Sequence, residues 1–310
     1  MRAGIVDMGT NTFNLLVAEV ENENKYHILF IDRQAVQLGK SGINKHVILP
    51  DAFERAENAM NIHVANMKKF EVEKMYALGT SAIRSAANKE EFTTFIKQKF
   101  NIDIHVISGD QEAGFIYKGV KQTVHIDHGH EIILDIGGGS NEFIIANQNE
   151  ILWKHSFNLG IARLLNKFHP SDPIKPEEIE IIEQYFEQNL GLLFEAASKY
   201  NPSVLIGASG SFDTFRSLIF HEPEPNGQIE RENSKELGMD EYHRLYETLI
   251  KSTREQRLNY HHLEPIRVDY IVLASLFTSF VLKKLNINQL FQSDYSLKEG
   301  VILDLIKGVI

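Results

Sequence analysis

The 310-residue sequence contains no cysteine. Disulfides, thiol catalysis and any cysteine metal site are therefore excluded. It lacks a basic excess as well: 32 Lys and Arg stand against 42 Asp and Glu, a net charge of −10. That argues against general nucleic-acid or membrane-surface binding, both of which favour a basic footprint. No apolar run approaches the roughly 18 residues that a membrane span needs. The opening stretch MRAGIVDMGT reaches an aspartate at residue 7, too early for an apolar secretory core. These absences predict a cytoplasmic protein with no nucleic-acid or membrane partner. What is present, 43% hydrophobic and 24% charged residues, is the composition of a soluble globular chain. Its length suffices for roughly two domains.

Along the chain, Ala3–Val6 is short and apolar, and Asp7-Met8-Gly9-Thr10-Asn11-Thr12 interrupts it. Phe13–Val20 and Tyr26–Ile31 resume a strand pattern. Pro50 suits a first helical turn, and Phe53, Ala56, Met60, Val64 and Met67 recur at helical spacing, predicting a helix to about Phe70. Met75–Leu78 and Ile104–Ile107 read as strands. Asn88, with Glu91 three residues on, predicts a capped helix start. Gln111–Val120 reads as a further helix. Near residue 122 the pattern restarts, with strands at Ile132–Leu134, Phe143–Ala146 and Glu150–Ser156. A long helix over Pro176–Tyr200, with Gly191 inside it, precedes a strand at Val204–Ile206 that ends in GASGS. Pro223–Asn233 reads as an exposed loop, 240–251 and 266–284 as helices, Gln289–Ser293 as a strand, and Leu297–Lys307 as a closing helix.

One segment repeats. IVDMGTNTFNLLVA, placed over ILDIGGGSNEFIIA, aligns Asp7 with Asp135 and Thr12 with Ser140, and both copies end in alanine. The offset, 135 minus 7, is 128 residues, too long for a solenoid period and suited to two similar domains. Helical stretches follow each copy, so each half is α/β. One copy alone is what an ordinary hairpin shows, since Gly and Asp are common turn residues. Two opposed copies favour a ligand. Glycines let backbone N–H groups approach an anion, a hydroxyl adds a donor, and a carboxylate can hold a cation that touches phosphate. VLIGASGSFDTF (204–215) adds a third turn, placing Ser209, Gly210 and Ser211 at a helix N-terminus suited to an anion, or to a plain cap by Ser211.

Five segments, VDMGTNTFNLLVAEV (6–20), ALGTSAIRSAAN (77–88), VISGDQEAGFIYKGV (106–120), ILDIGGGSNEFIIA (133–146) and SDYSLKEGVILDLI (293–306), together resemble the exopolyphosphatase and guanosine pentaphosphate phosphohydrolase family. That family is part of the actin-like ATPase superfamily. The resemblance spans essentially the whole chain, and the second and third segments make it family-specific. It implies an α/β protein of two actin-like, ribonuclease-H-like domains with a cleft between them. The expected domains are 1–122 and 123–296, with the closing helix 297–310 packed back on the first. It implies Mg²⁺- or Mn²⁺-dependent hydrolysis of phosphoanhydrides by an activated water. By position, Glu112 matches the general base and Arg84 the arginine on the terminal phosphate. Asp135 and Glu142, with Asp7, match acidic metal and water positions. Asn11, Thr12, Gly138, Gly139 and Ser140 match phosphate-loop positions. Inorganic polyphosphate is the expected substrate. The alternatives are guanosine pentaphosphate, a weakly catalytic sensor of that nucleotide, and a phosphotransferase or nucleotide switch, for which no adenosine pocket is evident. A homodimer is a further expectation.

The sequence departs from the family pattern at Gly114, where Arg is frequent, at Asn141, where Thr is usual, and at Phe212 and Asp213 in the third loop. These departures bear on substrate preference more than on the reaction. The long family form carries an additional phosphohydrolase-like domain, so the likeness is to the short two-domain form. His125, His128 and His130 suggest either a metal or a polar hinge. Arg244, Lys251, Arg254, Arg257 and Arg267 suggest either a polyanion groove or a solvated helix face.

Overall fold

The computed structural model describes residues 1–310 apart from 23–24, 126–128, 226, 228–231 and 310. The first half opens with β1 (Arg2–Met8), β2 (Thr12–Asn22) and β3 (Lys25–Ala35), a meander joined by the Gly9–Asn11 turn. A 3₁₀ turn at Ile43–Lys45 leads to α1 (Pro50–Lys69), β4 (Lys74–Gly79), α2 (Ser81–Ser85), α3 (Lys89–Phe100), β5 (Ile104–Val106) and α4 (Gly109–Val120). The second half repeats the meander as β6 (Glu131–Ile136), β7 (Asn141–Ala146) and β8 (Ile151–Phe157). Then come α5 (Ile161–Phe168), α6 (Pro176–Asn189), α7 (Gly191–Tyr200), β9 (Val204–Ala208) and α8 (Gly210–Phe220). The chain closes through β10 (Ser234–Leu237), α9 (Met239–Lys251), α10 (Arg254–Leu258), α11 (Ile271–Lys284), β11 (Gln289–Ser293) and α12 (Leu297–Ile306).

The internal repeat is a repeat of topology. The first sheet runs β3-β2-β1-β4-β5, and β8-β7-β6-β9-β11 reproduces that order in the second, with β10 added at its edge. Asp7 pairs across the hairpin with Asn14, and Asp135 pairs with Glu142 at the same offset. In both copies the turn closes by the same bond, Gly9 N–H to Thr12 O and Gly137 N–H to Ser140 O, each 3.0 Å.

Each sheet has its own apolar core on one face, one around Phe13, Met60 and Phe92, the other around Phe143, Phe186 and Phe277. Between the sheets lies a third core shared by both halves. Ala3, Ile5 and Leu16 meet Ile133, Ile144 and Ile206 there, sealed by Ile116 of α4 and Val301 and Ile302 of α12. The strands β6, β7 and β9 are buried along their whole length because they face a core on both sides. The closing helix packs on α4 and β1. It crosses α4 backbone to backbone: a Cβ at Gly300 would lie 1.8 Å from Phe115 O, and one at Gly119 1.9 Å from Ser296 O.

Several elements differ from expectation. Gly191 does not sit inside one long helix; it starts α7, and Leu190 separates it from α6. A mid-helix glycine is costly, so the break falls there. Asn88 holds the N-cap position of α3, but its side chain makes no cap bond. Its amide and carbonyl instead pair with the backbone N–H and C=O of Ile48, fastening the loop ahead of α1. The 266–284 helix begins at Ile271, preceded by the separate short α10. The Pro223–Asn233 loop is not simply exposed: Glu224 is 5% exposed and paired with Arg33. Within HIDHGH, His128 lies outside the described residues, and His130 bonds the Tyr200 carbonyl.

Candidate active site

The paired hairpin turns meet at the mouth of the shared core, where they line a cleft of about 130 Å³ together with the start of α8. The backbone explains why these turns offer donors. Behind the second turn, the first residues of α5 take its carbonyls: Ile161 N–H binds Gly137 O at 2.9 Å and Ala162 N–H binds Gly138 O at 2.8 Å. Behind the first turn, Val36 and Gln37 N–H bind Asn11 O, and Gly39 N–H binds Thr10 O. With the carbonyls held, the Asn11, Gly138 and Gly139 N–H groups have no protein acceptor among the described residues. The third turn behaves alike. Ser209, Gly210 and Ser211 open α8, whose first N–H groups have no intrahelical partner. The cap is Ser209, not Ser211. It sits at φ 68° and ψ 179°, a conformation that costs a non-glycine residue about 1–3 kcal/mol.

The turns approach closely. A Cβ at Gly139 would lie 2.6 Å from Ser81 Oγ and 2.7 Å from Thr10 Oγ1, and one at Gly138 2.9 Å from the Asn11 side chain. Gly160 supports the glycine turn from behind, where a Cβ would meet the Gly138 and Gly139 backbone at 2.4 Å.

Glu112 lines the cleft, and Arg84, 28 residues away in sequence, pairs with it from beside. Arg84 Nη1 donates to Glu112 Oε2 at 2.7 Å and to Ile107 O at 3.0 Å, and Nη2 reaches Ser140 Oγ at 3.4 Å. Glu112 stands in the first turn of α4, which begins at Gly109 behind a capping box of Ser108 and Gln111. Glu142 accepts from Ser140 Oγ at 2.7 Å and from Ser156 Oγ at 2.6 Å. Asp135 accepts from Ser209 Oγ at 2.5 Å and from Ser296 Oγ at 2.9 Å. Asp7 accepts from Asn14 at 3.1 Å through Oδ2, while its Oδ1 is buried without a partner. Thr12 accepts from Asn14 at 3.3 Å and lines the cleft.

Three buried carboxylates, Glu112, Asp135 and Glu142, with the half-buried Asp7, disfavour one another's ionisation. Burial, then the Glu142 charge, holds Glu112 well above the usual range, and Arg84 pulls it back. Burial and Asp135 push Glu142 up to about 7. Burial pushes Asp135 up to about 6 against its two serine bonds. Burial also raises Asp7, with Lys298 opposing.

This donor set is chemically suited to a small hard cation. Mg²⁺ prefers oxygen ligands and keeps several waters, taking one or two carboxylates. The unpartnered Asp7 Oδ1 is such a ligand. No three acidic or imidazole groups converge as a ligand cluster among the described residues. The fit is therefore to one or two carboxylates with water.

Some cleft residues had no local signature. Thr10, Ser81, Ser296 and Lys298 line it from three segments, and Arg33 and Arg267 line it as well. Arg33 pairs with Asp213, Glu224 and Glu264. Arg267 has a buried Nε without a partner, and its guanidinium lies against Gly210. The five basic residues do not share one face or groove. Arg267 faces the cleft, Arg257 is buried on Asp172, and Arg244, Lys251 and Arg254 pair with nearby acids. Among the departures, Asn141 binds Leu159 O behind the turn, Asp213 is paired to Arg33, and a Cβ at Gly114 would lie 3.7 Å from Lys154 Nζ.

Two matched α/β halves around one cleft are the architecture of the two-domain actin-like proteins. The chain belongs to the Ppx/GppA phosphatase family, whose profile matches residues 16–308. It superposes on the crystal structure of an exopolyphosphatase from Cytophaga hutchinsonii with TM-score 0.94, at 39% identity over 99% of this chain and 98% of that one. A Haemophilus influenzae protein provisionally named an exopolyphosphatase is 29% identical over 98% of this chain and 91% of its own. A guanosine-5'-triphosphate,3'-diphosphate pyrophosphatase of Vibrio cholerae is 25% identical over 98% of this chain, which spans 59% of that longer protein.

Proposed function

We propose that this protein is an exopolyphosphatase, hydrolysing the terminal phosphoanhydride of inorganic polyphosphate with water activated by Glu112. The observation that carries this reading is the convergence of Glu112 and three turns with free N–H groups on one cleft, with Arg84 bonded to Glu112 and Ser140 beside it. Phosphoryl transfer needs charge on the equatorial oxygens neutralised and a nucleophile in line. The N–H groups of Gly138, Gly139 and Asn11, with the hydroxyls of Thr12 and Ser140, would hold the terminal phosphoryl oxygens. Arg84, a planar bidentate donor, would leave Glu112 for the phosphate. The freed carboxylate would then accept the proton of the attacking water as the bridging P–O bond breaks. Asp7, Asp135 and Glu142 would hold Mg²⁺, directly or through water. When bound, the ion neutralises phosphoryl charge. Ser209, Gly210, Ser211 and Arg267 would hold the phosphates behind the one removed.

A second reading, hydrolysis of guanosine pentaphosphate, is favoured by Arg267 and Tyr270 standing side by side on the cleft wall. A guanidinium and a phenol ring there suit a second phosphate group and a base. Comparing kcat/KM for long-chain polyphosphate and guanosine pentaphosphate, with Mg²⁺ and with chelator, decides between them. The first reading expects at least tenfold preference for polyphosphate and loss of both activities on chelation. Preference for the nucleotide would select the second. Tight nucleotide binding without turnover would make the protein a sensor, and no phosphate release from either would overturn both.

A further inference from the structure

Arg163 is 8% exposed, yet no carboxylate pairs with it among the described residues. Its guanidinium is satisfied by three neutral acceptors from three segments. Nε donates to Gly139 O at 2.7 Å, Nη1 to Ile43 O at 2.9 Å, and Nη2 to Ser85 Oγ at 3.1 Å. Gly139 belongs to the glycine turn of the second half. Ile43 and Ser85 belong to the first half, and Ser85 directly follows Arg84. Asn44 Nδ2 returns a bond to Arg163 O at 3.2 Å, so side chain and backbone both bridge the halves. The residue itself is held to the turn it serves, its own N–H lying 3.4 Å from Gly138 O.

We propose that Arg163 is a positioning residue that latches the two halves together, so that closing the cleft and aligning Arg84 with the glycine turn are one event. The geometry requires an arginine. Only a planar fork reaches three acceptors in three directions at once, and a lysine has one nitrogen to offer. Neutral acceptors also suit a latch that must release. A buried ion pair would be costly to separate, whereas carbonyls and a hydroxyl can return to water at modest cost. The arginine's charge, uncompensated beside Arg84, favours closure most when a phosphate anion lies in the cleft.

This inference rests on reading the cleft as a phosphate site, so its test includes a distance that needs no turnover. Spin labels on exposed Lys45 of the first half and Lys167 of the second report closure in the full-length chain, with and without orthophosphate. The wild type should give one short distance, narrowed by orthophosphate. In Arg163→Ala and Arg163→Lys it should broaden to longer values. Phosphate release should fall about 10–100-fold in kcat in both, since a misplacement of about 1 Å costs up to about 100-fold. Added guanidine should restore part of the loss in Arg163→Ala. Ser85→Ala removes one acceptor without touching the turn. It should lower kcat several-fold with an unchanged melting temperature, which serves should Arg163→Ala fail to fold. Unchanged distances in both Arg163 variants, or full kcat in Ser85→Ala, would overturn the latch. Distances that respond while no substrate is hydrolysed would retain it and reject the polyphosphate reading instead.

Discussion

Glu142 shows what the cleft does to a single residue. Its carboxyl is 1% exposed, bonded to two serines, and still held up to about 7 by burial and by Asp135. A carboxyl raised in the folded state binds a proton that the unfolded chain has already released. Stability is therefore highest below the ordinary value of 4.5 and is lost as pH rises towards 7. One group shifted this far is worth on the order of 3 kcal/mol. Glu142→Gln, which keeps the shape and one acceptor, should melt close to the wild type at pH 5 and clearly above it at pH 8. Mg²⁺ should raise the wild-type melting temperature at pH 8 and do less for the variant. Equal destabilisation of the variant at both pH values would mean that the carboxylate is not strained. For the reaction, the same shifts predict activity that rises with pH as Glu112 loses its proton, with the ascending limb moved to lower pH when a cation is bound.

At the scale of the element, the glycine turn works because α5 takes its carbonyls from behind. Gly160 is the point of contact, and its Cβ position is occupied by backbone that cannot rotate away. Gly160→Ala should therefore displace the turn and lower phosphate release by about 100-fold or more. Far-ultraviolet circular dichroism should stay near wild type. Activity within threefold of wild type would show that the turn is not held from this side. The turns themselves were readable in the sequence, because Asp, Gly and a hydroxyl at fixed spacing are a local pattern. Arg84 and Glu112 became readable only through family resemblance, since one exposed-looking arginine and one glutamate at a helix start have no chemistry of their own. Gly160, Ser156, Ser296 and Arg163 were not readable. They reach the cleft from distant segments, and their role exists only once the chain has folded. Asn88 misled for a related reason: its capping pattern is local, but the Ile48 backbone offered it two bonds in place of one.

For the whole molecule, the shared core argues that the halves do not unfold separately. Ile302 on the closing helix is fully buried against residues of both sheets. Ile302→Ala should cost about 2–5 kcal/mol. It should shift a single denaturation transition, followed equally by Trp153 fluorescence in the second half and by a probe on α1 in the first. A second transition that stays in place would show that the halves are independent. The fold class and the two-copy plan were legible because strand, turn and strand recur in order. The added strand β10, the short α10 and the break at Leu190 were not, because short stretches carry too little periodicity.

The proposed reaction rests on Glu112 as the base in a phosphate-binding cleft. Orthophosphate release from long-chain polyphosphate, with Mg²⁺, by the wild type and by Glu112→Gln tests it most directly. The wild type should release phosphate processively from chain ends, and the variant should lose about 10²–10⁴ in kcat while keeping its melting temperature or raising it. No release by the wild type, or undiminished release by the variant, would contradict the account.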